Sequence, residues 1–321
     1  MRTSIASVTI EWRRPTQDEV VLADNLDVLP RIADETFQLI YIDPPFNTGK
    51  AQNRKTLQTL ASDHGDRTGF GGRRYTTRLL AESSYIDTFD DYLSFLEPRL
   101  RQAHRLLAHT GTFYFHIDYR EAHYCKLLLD EIFGRDCFLN ELIWSYDYGA
   151  RSKRRWPAKH DTILVYVKDA TAYFYDGETV DREPYMAPGL VTAAKAARGK
   201  LPTDVWWHTI VPTNGREKTG YPTQKPEGII RRMVQASTQP GDWCLDFFAG
   251  SGTLGAVAAK LGRRYVLIDA NPEAVRVTRE RLRQVTPAPD DVTAECVEDL
   301  ARSDHNTNHS GSTSALATSL F

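Results

Sequence analysis

The sequence predicts an α/β protein built on a mostly parallel sheet with helices on both faces. Three observations carry this reading. Short β-branched and aromatic runs recur along the chain, stretches with apolar residues three and four apart lie between several of them, and 321 residues with 41% hydrophobic side chains can bury one large core or two modest ones. Strands separated by helical segments pair in parallel, and a sheet covered on both faces reads as continuous apolar runs.

In chain order the expected strands are 20–22, 37–42, 112–117, 141–146, 161–167, 243–247 and 265–268. The segment 90–107 is expected as a helix because Tyr92, Leu93, Leu96, Leu100, Ala103 and Leu107 share one face, and 119–133 because Leu127, Leu128 and Ile132 do. Further helices are expected at 254–261 and 275–282, the latter closing the last strand-helix unit. Two regions break the rhythm: 47–81, rich in Gly, Thr and Arg, reads as a long basic loop, and 170–219, punctuated by Pro and Gly, reads as an insert. The expected organisation is therefore one domain formed by 1–169 and 220–302, the insert 170–219, and a disordered Ser/Thr/Asn-rich tail at 303–321. No internal repeat is evident.

The longest apolar runs, such as 112–117 and 162–167, fall far short of the roughly 20 residues a spanning helix needs, so no membrane association is expected. The polar run Glu11-Trp12-Arg13-Arg14 stands where a secretory apolar segment would lie, which makes the cytoplasm the expected compartment. Cysteines at 125, 137, 244 and 296 are scattered, so neither a metal site nor a disulfide scaffold is expected, and they read as small buried hydrophobes. Forty basic against 42 acidic residues leave a net charge of −2, but locally the balance shifts. Lys50, Arg54, Lys55, Arg67, Arg73, Arg74 and Arg78 face only Asp63 and Asp66 between 46 and 80, and Arg151, Lys153, Arg154, Arg155 and Lys159 face no acid between 151 and 160. Such patches suit phosphate contacts, although solvated surface charge explains many of them equally well.

Two motifs carry chemistry. Asp246-Phe247-Phe248-Ala249-Gly250-Ser251-Gly252 follows an apolar strand, and Gly250, Gly252 and Gly255 spell GxGxxG before a helix. Glycines there permit a tight turn and close approach of a ligand to the backbone, and Asp269, at the end of the next strand, is placed to accept from ribose hydroxyls. This unit favours a nucleoside-containing cofactor without choosing one. The second motif, Asp43-Pro44-Pro45-Phe46, also follows an apolar strand. Two prolines remove backbone donors and stiffen the turn, so that the Asp43 carboxylate and Pro44 carbonyl present two adjacent acceptors, suited to an exocyclic amine with two N–H donors. Phe46 offers a flat face for a planar base.

With these residues in view, the sequence resembles the β-class amino DNA methyltransferases that use S-adenosylmethionine, in particular the modification-subunit-like adenine-N6 enzymes. The segment 43–49 is similar to their catalytic motif and 246–252 to their cofactor motif, in the β-class order. Further similarity lies in 111–118, 138–144, Ser152-Lys153-Arg154-Arg155-Trp156, 159–164 and Tyr221-Pro222-Thr223-Gln224-Lys225-Pro226, so that it covers roughly 18–282. The resemblance implies a circularly permuted, Rossmann-like methyltransferase sheet with an antiparallel hairpin from 141–167 at one edge, and a small target-recognition role for the insert. It further implies catalytic roles for Asp43, Pro44, Pro45 and Phe46, and S-adenosylmethionine binding by Asp24, Asp246, Phe248, Gly250, Gly252, Asp269, Thr223 and Lys225. Double-stranded DNA is the implied partner, with Lys50, Arg73, Arg74, Arg151, Lys153, Arg154 and Arg155 as phosphate contacts. A homodimer and an accompanying restriction nuclease stay open.

An amine conjugated to a ring is a poor nucleophile, so acceptors that draw it toward tetrahedral geometry as a methyl group arrives lower the barrier. No covalent intermediate is required, in keeping with the absence of a cysteine beside Asp43, and the base must be flipped from the duplex. Relatives acting on the cytosine N4 amine typically carry Ser at the position of Asp43, which favours adenine, and RNA- or protein-directed relatives typically carry Asn. Two readings of other classes remain: a nicotinamide-dependent oxidoreductase, suggested by GxGxxG, and a non-catalytic DNA-binding protein, suggested by the basic segments. Within the insert, Lys195, Arg198 and Lys200 are the charged candidates for base contacts, while Trp206 and Trp207 read equally as core.

Overall fold

Eight strands form one sheet in a computed structural model that describes residues 14–46, 52–61, 67–68, 74–85, 91–149 and 151–285, the segments within 52–85 by their backbone. The strands are β1 (Glu19–Leu22), β2 (Phe37–Ile42), β6 (Leu107–Ile117), β7 (Phe138–Ser145), β8 (His160–Val167), β9 (Val205–Trp207), β10 (Trp243–Asp246) and β11 (Arg264–Asp269), with β3 (Gln52–Ala61), β4 (Arg67–Thr68) and β5 (Arg74–Tyr85) in a separate sheet. The large sheet runs β1-β11-β10-β2-β6-β8-β7-β9. Its first five strands are mutually parallel, β8 is antiparallel to both β6 and β7, and β9 is parallel to β7. This is the expected mostly parallel sheet with an antiparallel hairpin near one edge. β2 and β10 are far apart in sequence yet adjacent in the sheet, which is the permuted order.

Alternation along the strands separates two apolar layers. Ile40, Ile42, Phe113, Phe115, Leu245, Val266 and Ile268 pack on one side with α2 (Tyr92–Leu106) and α3 (Ala122–Phe133), while Leu39, Tyr41, Cys244 and Leu267 pack on the other with α5 (Glu227–Ser237) and α6 (Thr253–Lys260). Helix boundaries follow local chemistry. Asp91 caps α2 by accepting from the Ser94 N–H at 3.0 Å, α3 stops at Gly134 with φ 89°, and α7 (Pro272–Arg283) begins with Asn271 as cap and proline in the first turn. A four-residue helix, α1 (Asn25–Val28), follows β1 with Asp24 as its cap.

The structure corrects the sequence reading at three places. The segment 47–81 is not simply a loop: β3 and β5 pair antiparallel from Gln52↔Tyr85 to Ala61↔Tyr75, and β4 adds to β5. Backbone pairing holds such a ribbon together and does not require the apolar period of a helix. The second is α5, to which the sequence reading assigns no element and whose stripe Ile229, Ile230, Met233, Val234 is interrupted by Arg231 and Arg232. These arginines pair with Asp181 (2.7 Å) and Glu183 (2.9 Å), fastening the insert to the helix. The third is β9, an edge strand too short for periodicity, which joins part of 170–219 to the sheet and includes buried Trp206 beside exposed Trp207. The insert also holds a short helix, α4 (Ala193–Arg198), carrying Lys195 and Arg198. Cys125 and Cys244 are buried as expected, Cys137 is half-buried, and Cys296 and the tail 303–321 lie outside the described residues.

Gly255 explains the third glycine of the motif: a Cβ there would lie 2.5 Å from the Leu267 Cδ1 of β11, so α6 can approach the sheet only without a side chain. Gly255→Val is therefore expected to lower stability by about 1–3 kcal/mol through overpacking, read from the denaturation midpoint. Gly189→Ala, where nothing lies within 4 Å, is the matched control and is expected to leave that midpoint unchanged.

Candidate active site

In open parallel sheets, ligands bind beyond the carboxyl ends of the strands. There β1 leads to Asp24, β2 to Asp43, β10 ends at Asp246 and β11 at Asp269. A cavity of about 280 Å³ opens at this edge and brings together Asp24, Asp43, Pro44, Pro45, Phe46, Thr223, Lys225, Asp246, Phe248, Gly250 and Asp269. The two motifs, about 200 residues apart in sequence, thus share one wall because β2 and β10 are neighbours.

The glycine turn is held by the acid at the end of the adjacent strand. Asp269 Oδ2 accepts from the Gly250 N–H and Oδ1 from the Asn271 N–H, both at 2.8 Å. Gly250 and Gly252 have φ of 51° and 70°, in the region that favours glycine. Gly252 does not line the cavity. It caps the start of α6, and a Cβ there would lie 2.6 Å from Thr278, so this turn meets α7 only without a side chain.

Asp43 sits opposite. Its Oδ2 is ion-paired with the Lys225 ammonium, which also lies 4.8 Å from the centre of the Phe46 ring. Asp43 Oδ1 is buried and has no hydrogen-bond partner among the described residues. The Tyr92 hydroxyl donates to the Pro45 carbonyl at 2.6 Å and anchors the proline turn to α2. Asp24 caps α1 and lies 3.4 Å from Arg99, whose Nε donates to Asn25, and Asn25 in turn donates to the Phe247 carbonyl at 3.0 Å.

Behind Phe46 runs a buried polar chain. The Tyr41 hydroxyl lies 2.9 Å from His116 Nδ1, His116 Nε2 lies 3.2 Å from Asp161 Oδ2, and the Tyr146 hydroxyl donates to Asp161 Oδ1 at 3.1 Å. Burial, reinforced by Asp43, Asp246 and Asp161, pushes the Tyr41 phenol well up, so it keeps its proton. Burial disfavours the charged form of Asp161, yet the His116 contact, the Lys225 charge and the Tyr146 hydrogen bond together outweigh it and hold that carboxyl below the usual range. An ionised Asp161 only accepts, so His116 Nε2 donates to it. The His116 ring lies 5.9 Å from Phe46.

Sequence reasoning did not assign roles to Asn25, Arg99, Tyr41, His116, Asp161 or Tyr221, all of which line the cavity or support residues that do. One signal existed: Arg99 follows Leu96 by three positions, a cation on the buried stripe of a helix. The others are brought together only by tertiary structure. A second cavity, of about 540 Å³, adjoins the first through Thr223 and Lys225 and is lined by Trp144, Tyr146, Tyr148, Arg151 and Arg155. Lys153 and Arg154 are exposed beside it, Arg74 begins β5, and Lys50 and Arg73 lie outside the described residues.

With this geometry, comparison with known proteins is decisive. The N6/N4 DNA methylase family pattern matches residues 37–280. The chain belongs to this family. It is 30% identical over 271 residues to the DNA adenine methyltransferase YhdJ of Escherichia coli, covering 82% of each chain. Among solved structures it is similar to the PvuII DNA methyltransferase, cytosine-N4-specific, with a TM-score of 0.57 at 16% identity over 91% of this chain and 93% of that one. It is also similar to the M1.HpyAVI–SAM complex, with a TM-score of 0.53 at 18% identity over 82% and 98%. The fold is the permuted Rossmann-like DNA methyltransferase fold. Among the described residues no helix is long and apolar enough to cross a membrane, and no cluster suited to a metal ion is present.

The carboxylate edge predicts a pH dependence. Burial, with Asp43 and Asp269 nearby, pushes the Asp246 carboxyl well up despite its bond from the Phe248 N–H at 2.9 Å. A carboxyl raised in the folded state contributes stability below its unfolded value of about 3.9, and this is lost as pH rises through the folded value. In the cofactor-free protein Asp246→Asn, which keeps the acceptor for Phe248, is expected to raise the unfolding midpoint at pH 8. That gain is expected to disappear below pH ~4 in parallel melts.

Proposed function

We propose that the chain transfers the methyl group of S-adenosylmethionine to the exocyclic N6 amine of adenine in double-stranded DNA, with Asp43 as the acceptor that orients the amine. The observation that carries this is Asp43 Oδ1, buried and unpartnered on the wall of a cavity that also contains the glycine turn. A buried acceptor left without a donor is costly, and a ligand amine that donates to it removes that cost.

The cavity suits the cofactor. Gly250 lets the backbone approach a ligand, Asp269 has lone pairs beyond the two it gives to the turn, and Phe248 and Phe95 supply apolar walls. S-adenosylmethionine bound there supplies an electrophilic methyl group. Asp269 is proposed to bind the ribose hydroxyls, Asp24 to lie near the adenine of the cofactor, and Thr223 near its amino-acid portion.

Lys225 is proposed to fix Asp43 by holding Oδ2, leaving Oδ1 for the amine. Pro44 and Pro45 bring no N–H group that would compete for that oxygen, and Phe46 presents its ring to the base over the Lys225 ammonium. The Pro44 carbonyl is the second proposed acceptor. Arg151, Lys153, Arg154, Arg155, Lys50, Arg73 and Arg74 are proposed to hold phosphates, and the insert 170–219 to read the target sequence.

Adenine is favoured by the carboxylate at position 43, where the cytosine-directed relatives typically have Ser, and by the similarity to YhdJ. Cytosine N4 is the second reading. Its amine also offers two N–H donors to Asp43 and Pro44, and the PvuII enzyme of similar fold is named cytosine-N4-specific. Mass spectrometry of nucleosides from DNA treated with the protein and S-adenosylmethionine decides: N6-methyldeoxyadenosine supports the first reading, N4-methyldeoxycytidine the second, and neither refutes both. On the modified base so identified, Asp43→Ala is expected to slow methyl transfer by at least ~100-fold. Calorimetry is expected to show cofactor affinity changed by less than about threefold, since ribose contacts lie elsewhere.

A further inference from the structure

We propose that Trp156 is the wedge that enters the duplex and takes up the stacking space of the extruded base. The proposal rests on duplex DNA being the substrate. Trp156 is 95% exposed, on the 146–159 connection between β7 and β8, so both faces of its ring are open to a stacking partner.

Its setting specifies that partner. Arg151, Lys153, Arg154 and Arg155 precede it with no intervening acid, so the surface around the ring suits a polyanion rather than an apolar protein face. The connection is braced. Ser152 Oγ accepts from the N–H groups of Arg154 and Arg155, both at 3.2 Å, and Lys159 Nζ donates to the carbonyls of Asp147 (3.2 Å) and Gly149 (3.1 Å) across the base of the loop. Pro157 restricts Trp156 to extended backbone.

The loop also stands beside the place a flipped base must pass. Arg151, Ser152, Arg155, Pro157 and Ala158 line the second cavity, which meets the Asp43 cavity at Thr223 and Lys225. A ring on this rim is placed to insert between base steps while the neighbouring cations hold phosphates. Apolar side chains inserted in this manner offset the unstacking cost of extrusion.

A wedge differs from an ordinary contact in that it matters only while the target base is stacked and paired. The test measures single-turnover methylation by the full chain with S-adenosylmethionine, using the duplex sequence the parent modifies and the same duplex with an abasic site opposite the target. Trp156→Ala is expected to be at least ~10-fold slower on the paired duplex, to recover to within about threefold of the parent on the abasic one, and Trp156→Phe to retain most activity on both. Equal loss on both duplexes, no loss on either, or a change in oligomeric state as the sole effect overturns the proposal. A parent that methylates no duplex overturns it together with the function on which it rests, and is distinguished by the absence of product before any substitution is made.

Discussion

The ion pair between Lys225 and Asp43 is the contact on which the arrangement of the site depends. The carboxyl edge of the sheet gathers Asp43, Asp246 and Asp269, with Asp161 close behind, and Lys225 is the cation among them that reaches Asp43. Burial raises the proton affinity of both Asp246 and Asp269, and at Asp246 the neighbouring Asp43 and Asp269 charges add to it. Removing one partner of a buried pair typically costs about 3–5 kcal/mol because the other charge is stranded. The pair is proposed as a positional device. It fixes one oxygen of Asp43 and leaves the second without a partner.

The fold supplies the means to hold such a device. Parallel β2, β10 and β11 end together, so side chains from distant parts of the chain converge without long loops of their own. Lys225 enters from the segment before α5, and α5 is itself fastened by Arg231 and Arg232 to Asp181 and Glu183 of the insert. A proposed reader of sequence is thus tied to the helix that carries the lysine's segment. On the other side of Phe46, the Tyr41–His116–Asp161–Tyr146 chain is satisfied throughout, and a fully bonded buried network rigidifies what packs against it.

What was legible in the sequence was local chemistry at strand ends. Asp43-Pro44-Pro45-Phe46 and Gly250-Ser251-Gly252 announce themselves because proline and glycine restrict or release backbone in ways few other roles require, and β2, β10 and β11 are apolar enough to be found by composition. Contacts across the fold were not legible. The resemblance implies that Lys225 lies by the cofactor, and the structure shows it lining that cavity with its ammonium on Asp43; nothing within Thr223-Gln224-Lys225 indicates that second contact. His116 lies within the buried run 111–117 of β6, and becomes informative only when Tyr41 and Asp161 lie on either side. The ribbon of β3 and β5 escaped because pairing of backbone groups leaves no apolar period.

The division of labour between the two oxygens of Asp43 is tested most directly by Lys225→Met, with cofactor affinity measured by calorimetry and methyl transfer measured under single turnover. If Lys225 positions Asp43, transfer falls by at least about tenfold while cofactor affinity changes little, and adding Asp43→Ala to the variant slows transfer far less than it slows the parent. Undiminished transfer together with a large loss of cofactor affinity would contradict this arrangement and return Lys225 to the cofactor.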